Sequence, residues 1–297
     1  QETDIYNFIG YSAKGGGNYR INENHNVFVN LGYFEKAADF DSVFTEFDNE
    51  NIIEDAENQK ILSFELGYGF RGEKLSANVN LYRTSWNDRT ETVGFQQPDG
   101  TFASANILGI NAIHQGIEVD FVYKATDKLN FTGMMSLGDW RWENNIENVQ
   151  IFDEDQVLKQ TVNLYIKDLH VGDAAQTTFA LGANYKFTNK TRFTLDYNYF
   201  DNLYSDYNPS DRGGVGPNND QVGPDAWKVP AYGIFDTTFT HGFKFGKFDA
   251  SLTARMNNIL DTRYISDAQD GAGSVAQTAK VYYGFGRTFS VGAKVKF

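Results

Sequence analysis

From Val281 to Phe297 the side chains alternate with a period of two. Val281, Tyr283, Phe285, Arg287, Phe289, Val291, Ala293, Val295 and Phe297 fall on one face, against Tyr282, Gly284, Gly286, Thr288, Ser290, Gly292, Lys294 and Lys296 on the other. Only an extended strand presents successive side chains to opposite sides. The run is far longer than a usual strand of about 5–6 residues, and its second face is rich in Gly, Ser and Lys rather than Glu. A strand that crosses a bilayer needs roughly 9–11 residues, apolar toward lipid and polar toward a lumen. The pattern predicts one continuous membrane-spanning strand, ending the chain on an aromatic residue.

The same alternation recurs along the chain. Val27, Val29, Leu31 and Tyr33 share a face, as do Leu62, Phe64, Leu66, Tyr68 and Phe70; Leu75, Ala77, Val79 and Leu81; and Ile117, Val119, Phe121 and Tyr123. Further strands are read over Leu129 to Leu137, Thr177 to Phe187, Phe193 to Tyr199, Phe235 to Phe245 and Phe248 to Met256. A first strand is read from Ile5 to Arg20, loosened by Gly15-Gly16-Gly17. Short polar turns alternate with long connections near 36–58, 87–111, 143–173, 201–230 and 261–279; the second of these is read as carrying its own small hairpin around Pro98-Asp99-Gly100. Soluble sandwiches have no need of this rhythm. Outer-membrane barrels do, with short turns on the periplasmic side and long loops outside.

The expected fold is therefore all-β: an antiparallel transmembrane β-barrel of about eleven strands. The last strand runs from a long loop to the short-turn side, so an odd count starts on the long-loop side. An independent bacterial barrel has an even count. Residues 1–297 are thus read as the carboxy-terminal part of a larger barrel, of about 22 strands if the missing piece is equal, the size at which a plugged lumen is expected.

Composition supports this reading. With 25 Phe and 17 Tyr against 5 Pro, strands are favoured over helices. No apolar run reaches the roughly 18 residues of a membrane helix. A negative mean hydropathy does not conflict, because alternating faces dilute every window. The absence of cysteine removes disulfides and thiolate metal sites. A net charge of −13 argues against nucleic-acid binding. Acidic residues gather in two segments, from Asp39 to Glu57 and from Asp201 to Asp225; they read as solvated loops, or as contacts for a cation without calcium-loop spacing.

Three segments resemble a known family. Met256-Asn257-Asn258-Ile259-Leu260-Asp261-Thr262-Arg263-Tyr264-Ile265 looks like the "NLFDTKY" segment of TonB-dependent outer-membrane receptors. Phe285 to Phe297 is similar to the terminal strand of that family, and Phe297 resembles its barrel-assembly signal. Tyr33 to Phe40 resembles the "F-x-x-A-P" strand-to-loop region, with alanine in place of the proline. The resemblance covers the barrel part only. It implies an outer-membrane location in a Gram-negative cell and energised import of a scarce bulky ligand such as a ferric siderophore, haem, cobalamin or a glycan. The partners implied are the lipid bilayer, a plug domain and amino-terminal barrel half, a TonB-type energy coupler and the barrel-assembly machinery. The runner-up is a passive porin, or a non-transport barrel serving as a scaffold for surface proteins such as lipoproteins.

Enzymatic chemistry finds little support, and no cofactor is called for. His25, His114, His170 and His241 are isolated, and neither a metalloprotease helix nor a nucleophile elbow is present. A barrel protease or acyltransferase is the rival class. For haem, His170 is the best-placed ligand. Glu65, Arg71, Glu118, Asp120, Asp196, Asp249 and Arg255 fall on the polar faces and are expected to meet the lumen or a plug, because charge on the lipid face is costly. Trp86, Trp140, Trp142, Tyr199 and Tyr204 sit at loop ends, where an aromatic girdle at the lipid headgroups would account for them. Tyr204, Tyr207 and Trp227, in the fourth long connection, are the candidate ligand contacts, since aromatic platforms suit sugars and catecholates.

Overall fold

The computed structural model describes residues 5–44, 52–53, 56–96 and 100–296. In chain order the strands are β1 (Ser12–Arg20), β2 (His25–Lys36), β3 (Gln59–Arg71), β4 (Leu75–Gln96), β5 (Phe102–Lys124), β6 (Leu129–Trp142), β7 (Ile146–Asp153), β8 (Leu158–Leu164), β9 (Thr177–Thr188), β10 (Thr191–Asp201), β11 (Tyr232–Phe245), β12 (Phe248–Asn257), β13 (Ile265–Gln269), β14 (Lys280–Tyr283) and β15 (Thr288–Lys296). Eleven of them form one antiparallel path, β1-β2-β3-β4-β5-β6-β9-β10-β11-β12-β15. The remaining four make two hairpins inside long connections: β7 pairs with β8 and with the end of β5, and β13 with β14.

Register keeps the two side-chain classes apart across the path. Val29, Leu66, Leu81, Ile117 and Leu137 stand opposite one another in one row. On the right-hand part, Phe193, Phe239, Ala254 and Val291 form another. The opposite face carries Gly16, Asn30, Glu65, Tyr82 and Gly116 in one row, and Asn78, Asp120, Met134, Ala180 and Asn198 in another. Apolar side chains on the first face are exposed along most strands, from Leu31 to Val291. Large exposed apolar side chains are tolerable where lipid replaces water.

All short turns lie at one end, joining β1–β2, β3–β4, β5–β6, β9–β10 and β11–β12. All long connections lie at the other end, where they fold inward over the polar face. There the buried cluster of Ala103, Ile107, Ile110, Trp142, Ile151, Leu164, Ile166 and Tyr207 joins the extended tips of β4 and β5, the β7–β8 hairpin and the β10–β11 connection. This packed layer is the hydrophobic core of the chain. The strand wall has none, because both of its faces are open.

The sheet does not close: among the described residues β1 pairs only with β2 and β15 only with β12. Three sequence expectations need correction. The expected strand from Ile5 begins only at Ser12, because Ser12 already stands opposite Phe34 and β2 ends at Lys36. The chain reverses between Gln96 and Phe102, where the small hairpin was expected, but 87–111 is not a loop that carries it: β4 and β5 run on through the stretch as one ladder, past two register shifts between Trp86 and Glu91. Pro98 and Asp99 lie outside the described residues.

The third correction is to the terminal run, which is broken into β14 and β15. A Cβ on Gly284 would lie within 2.0 Å of the Tyr264 ring. The Arg287 amide donates to the Asp261 carboxylate at 2.8 Å, and the Asn258 side-chain amide donates to the Phe285 carbonyl at 3.3 Å. The segment that resembles "NLFDTKY" therefore acts as a hook. Asn258 and Asp261 take positive φ of 50° and 55°, a backbone that Asn and Asp tolerate better than most residues. Asn258 also accepts from the Thr262 amide and donates to the Thr262 carbonyl, both at 2.8 Å. Phe297 lies outside the described residues.

The two faces predict opposite responses to charge. Leu66→Arg, at mid-strand on the apolar face, is expected to lower folding stability by about 2–4 kcal/mol. Met134→Arg, on the polar face opposite Asp120, should change it by about 0.5 kcal/mol or less. Urea titration of the full-length protein in bilayers measures both.

Candidate functional site

The most built-up cavity, of about 620 Å³, lies where the loop layer meets the polar face of the wall. Its making begins with the bulge in β4. Trp86 stands opposite Ala112 and faces inward; the register then shifts, so Arg89 and not Asp88 is the next residue opposite β5. Asp88 takes a positive φ of 55° there. Bulges of this kind re-aim side chains. Here the Arg89 guanidinium sits between the Trp86 and Trp142 rings, 5.2 Å from each centroid.

Arg89 also pairs with Glu91 at 2.9 Å, and Glu91 accepts from the Tyr207 hydroxyl at 3.2 Å. Burial raises the Glu91 carboxyl, and Arg89 partly offsets it. Burial, followed by the Glu91 charge, raises the Tyr207 phenol well above its ordinary range. Across the cavity His114 packs on Trp140 at 5.4 Å, and the Trp140 indole donates to the Tyr82 hydroxyl at 2.9 Å. The walls thus combine aromatic faces, one shared cation and carboxyl groups.

At the far side of the cavity Asp173, from the β6–β9 connection, meets Asp206 of the β10–β11 connection, with Asp267 of β13 beside them. Burial and then the Asp173 charge push the Asp206 carboxyl up to about 8, and a hydrogen bond with Asp173 adds to the effect. Burial and Asp173 raise Asp267 as well. The Asp206 backbone bonds with β13, its amide donating to the Ala268 carbonyl at 2.9 Å and its carbonyl accepting from the Asp270 amide at 2.7 Å. Three connections are therefore clasped around a carboxyl group that holds its proton more tightly than an exposed aspartate does. Among the described residues no group of three or more His, Asp and Glu side chains is arranged to hold a metal ion.

The candidate ligand aromatics do not form one platform. Tyr207 is buried in the layer, edge-on to Trp142 at 5.8 Å, and reaches the cavity through its hydroxyl. Tyr204 stacks on His170 at 4.0 Å with rings parallel to within 1°. Trp227 packs against Leu203, Val229 and Ala268. His170 is occupied on both nitrogens: Nδ1 meets Asp225 at 2.5 Å and Nε2 meets Arg141 at 3.0 Å. That leaves no nitrogen free for a haem iron.

Trp86, Trp140 and Trp142 face inward, as their pairing with Ala112 and His114 requires. The girdle reading of these three is thus corrected: Trp140 and Trp142 line the cavity, and the Trp86 indole donates to the Gln59 side chain at 2.9 Å on the same face. Tyr199, opposite Phe179, keeps the apolar-face row. Nor is the acidic segment from Asp201 to Asp225 simply solvated, since Asp206 and Asp225 make specific contacts. The polar-face charges are placed as the alternation requires. Glu65 stands opposite Asn30, Arg71 opposite Ser76, Glu118 opposite Asn80, Asp120 opposite Asn78, Asp196 opposite Asp236, Asp249 opposite Lys296 and Arg255 opposite Thr238. Asp206 was read from the sequence only as one of an acidic segment, and Arg89, Glu91 and Asp173 were not singled out. Thr90, Thr92 and Val93, β-branched residues in an alternating run, were the available signal that a strand continued there.

The carboxyl clasp has a pH signature. A carboxyl whose folded pKa is raised binds its proton more tightly when folded, so its contribution is full below about 4 and is lost as pH rises through about 8. Protease cleavage of the β6–β9 and β10–β11 connections is expected to accelerate between pH 6 and 9 in the wild type. Asp206→Asn should flatten that rise.

Comparison with known proteins follows the same lines. A family model described as "TonB dependent receptor-like, beta-barrel" matches residues 3–259. No curated protein matches the sequence. Among solved structures, the ferric-catecholate import receptor Fiu from E. coli K12 superposes with a TM-score of 0.57 at 18% identity, covering 94% of this chain and 34% of that one. The copper transporter OprC gives 0.62 at 16%, covering 94% and 39%. The siderophore receptor PiuA from Acinetobacter baumannii gives 0.60 at 16%, covering 95% and 35%. The chain spans a little over a third of the length of these structures. With an open wall of eleven paired strands and a match over most of its length, the chain belongs to the TonB-dependent receptor β-barrel family, a family of transport receptors rather than enzymes.

Proposed function

We propose that this chain forms part of the wall and the outer vestibule of a TonB-dependent importer in the outer membrane of a Gram-negative cell. In this reading its long connections face outside and its short turns face the periplasm. An amino-terminal barrel half completes a barrel of about 22 strands, and a plug fills the lumen. The observation that carries the reading is the arrangement of one wall between two media: an apolar outer row, a polar inner row, and a packed loop layer roofing the inner row at one end only. A passive porin needs an open mouth; this layer narrows it.

The cavity beside Arg89, His114 and Trp140 is the vestibule floor where a bulky polar cargo would first dwell. Tyr204, stacked on His170, and Trp227, packed beside Leu203 and Val229, are the candidate aromatic contacts elsewhere in the loop layer. Tyr207 supports the floor from below through Glu91. Capture by the loop layer would precede energised displacement of the plug, with the polar-face charges such as Glu65, Glu118 and Asp120 lining the route.

Uptake assays on cells carrying the full-length protein test this. Import of the cognate nutrient, identified by growth on defined iron and carbon sources, should fall to background when the energy coupler is deleted; import that persists would mark a passive porin. Tyr204→Ala combined with Trp227→Ala should raise the half-saturating concentration about tenfold, the effect of roughly 1.4 kcal/mol of lost contact, with the maximal rate kept.

A further inference from the structure

The vestibule floor is short of free cations. Among the described residues that line the cavity, Arg89 is the one Lys or Arg, against Asp39, Glu91, Asp173 and Asp206. Its guanidinium is already committed, to Glu91 at 2.9 Å and to the Trp86 and Trp142 rings. At the same end of the wall Lys36, Arg141, Lys159, Arg212 and Lys228 are each paired with an aspartate at 2.7–2.9 Å. By contrast, Asp173, Asp206 and Asp267 form no ion pair among the described residues.

This charge pattern weighs against two classes of cargo. A multiply anionic ferric chelate brings the same sign of charge as the unpaired carboxyl groups and meets no free guanidinium or ammonium in the floor. An organic cation needs open aromatic faces, and here Arg89 holds the place between Trp86 and Trp142 that such a cation would take. The floor instead mixes donors with acceptors. The Asp206 carboxyl is hydrogen-bonded to Asp173, and the Gln269 amide is set beside Asp206 by a parallel bridge between their backbones. Gly172 admits Asp206 so closely that an added Cβ would lie 2.5 Å from its Oδ1. Across the cavity Trp140, with His114 packed on it, supplies the aromatic side. A hydroxyl group both donates and accepts, so a lining of carboxyl, carboxylate and amide satisfies it, and the carbon-bound face of a sugar ring suits an indole. The volume of about 620 Å³ falls within the range of about 300–1,000 Å³ of small-ligand clefts.

We infer that the vestibule floor is a subsite for an uncharged, hydroxyl-rich ring compound, an oligosaccharide, and that it turns away anionic ferric chelates. The inference rests on the importer reading above and narrows its cargo. Asp173 and Gln269 bond the sugar hydroxyls, and Trp140 carries the ring. Fiu and PiuA share this fold as receptors for a ferric catecholate and a siderophore; a common wall does not fix the cargo, because the residues that meet it sit on the connections and the loop-side strand tips.

The test is equilibrium dialysis of the full-length protein in detergent against three kinds of probe: tetrasaccharides of glucose, mannose, xylose and N-acetylglucosamine; the iron(III) complex of 2,3-dihydroxybenzoate; and spermidine. At least one tetrasaccharide is expected to bind with a Kd of about 1 mM or tighter, and the ferric complex and spermidine about tenfold more weakly or not at all. Asp173→Ala and Gln269→Ala should each weaken the sugar about tenfold. Folding of the variants is checked by heat-modifiable migration, and if neither folds, the order of the probes on the wild type decides. A ferric complex held more tightly than every tetrasaccharide overturns the inference, as does spermidine held more tightly, which marks a cationic cargo. So does the absence of binding by every tetrasaccharide, or binding that both folded variants keep in full. Each of these results leaves the importer reading standing. A tetrasaccharide that binds as expected but enters cells without the energy coupler removes the importer reading and leaves the subsite.

Discussion

The structure depends on one constraint: in hydrocarbon every backbone N–H and C=O must find its partner within the protein. An antiparallel wall meets that demand strand by strand, and once the ladder is fixed the side chains have no freedom of face. A shift of one residue would turn every Leu of β3 toward the lumen and every Gly and Glu toward lipid. The unbroken rows from Val29 to Leu137 and from Phe193 to Val291 are what that demand looks like in register. The open edges of β1 and β15 leave the demand unmet at two places, so the wall is stable in a membrane only where further strands continue it.

Burial, the usual organiser of soluble domains, acts here only in the loop layer. Ile107, Ile110, Ile151, Leu164 and Ile166 are fully enclosed there, and removing such side chains from cores typically costs about 2–5 kcal/mol each. The connections are therefore held by ordinary packing, while the wall is held by its ladder. The bulge at Trp86–Glu91 is where the two regimes meet. It ends the strict membrane alternation and turns Arg89 toward the rings that the layer covers. The buried Arg212–Asp270 pair plays a similar joining role between the fourth and fifth connections, with Ser274 bonding the same carboxylate at 2.7 Å.

Much of the wall was legible in the sequence because a two-residue period is a local signal. The eleven-strand path, the alternation of short and long connections and the face of each charged strand residue follow from it. What was not legible is non-local. The terminal run keeps its period through Gly284 and Gly286, yet the chain breaks there because Tyr264, Asn258 and Asp261, some twenty or more residues earlier, occupy the space and the hydrogen bonds. The aromatic residues at the strand ends were ambiguous for a similar reason. A Trp at the headgroup level and a Trp under a loop layer have the same neighbours in sequence. Register against His114 and Ala112 separates them, and the β7–β8 hairpin that closes over Trp142 carries too weak an alternation to announce itself.

The inner wall shows a further regularity that the period alone does not require. At Gly67 an added Cβ would lie within 2.0 Å of the Phe28 ring, and at Gly116 within 2.7 Å of the Tyr82 hydroxyl. The glycines are vacant places onto which the long side chain of the neighbouring strand lies down. A water-filled channel has no use for this, since side chains standing into water cost nothing. Flattening the rings of Phe28 and Tyr82 against the wall keeps them from standing out from it. The polar face is thus smoothed as well as polar, each of these glycines receiving the ring of the strand beside it.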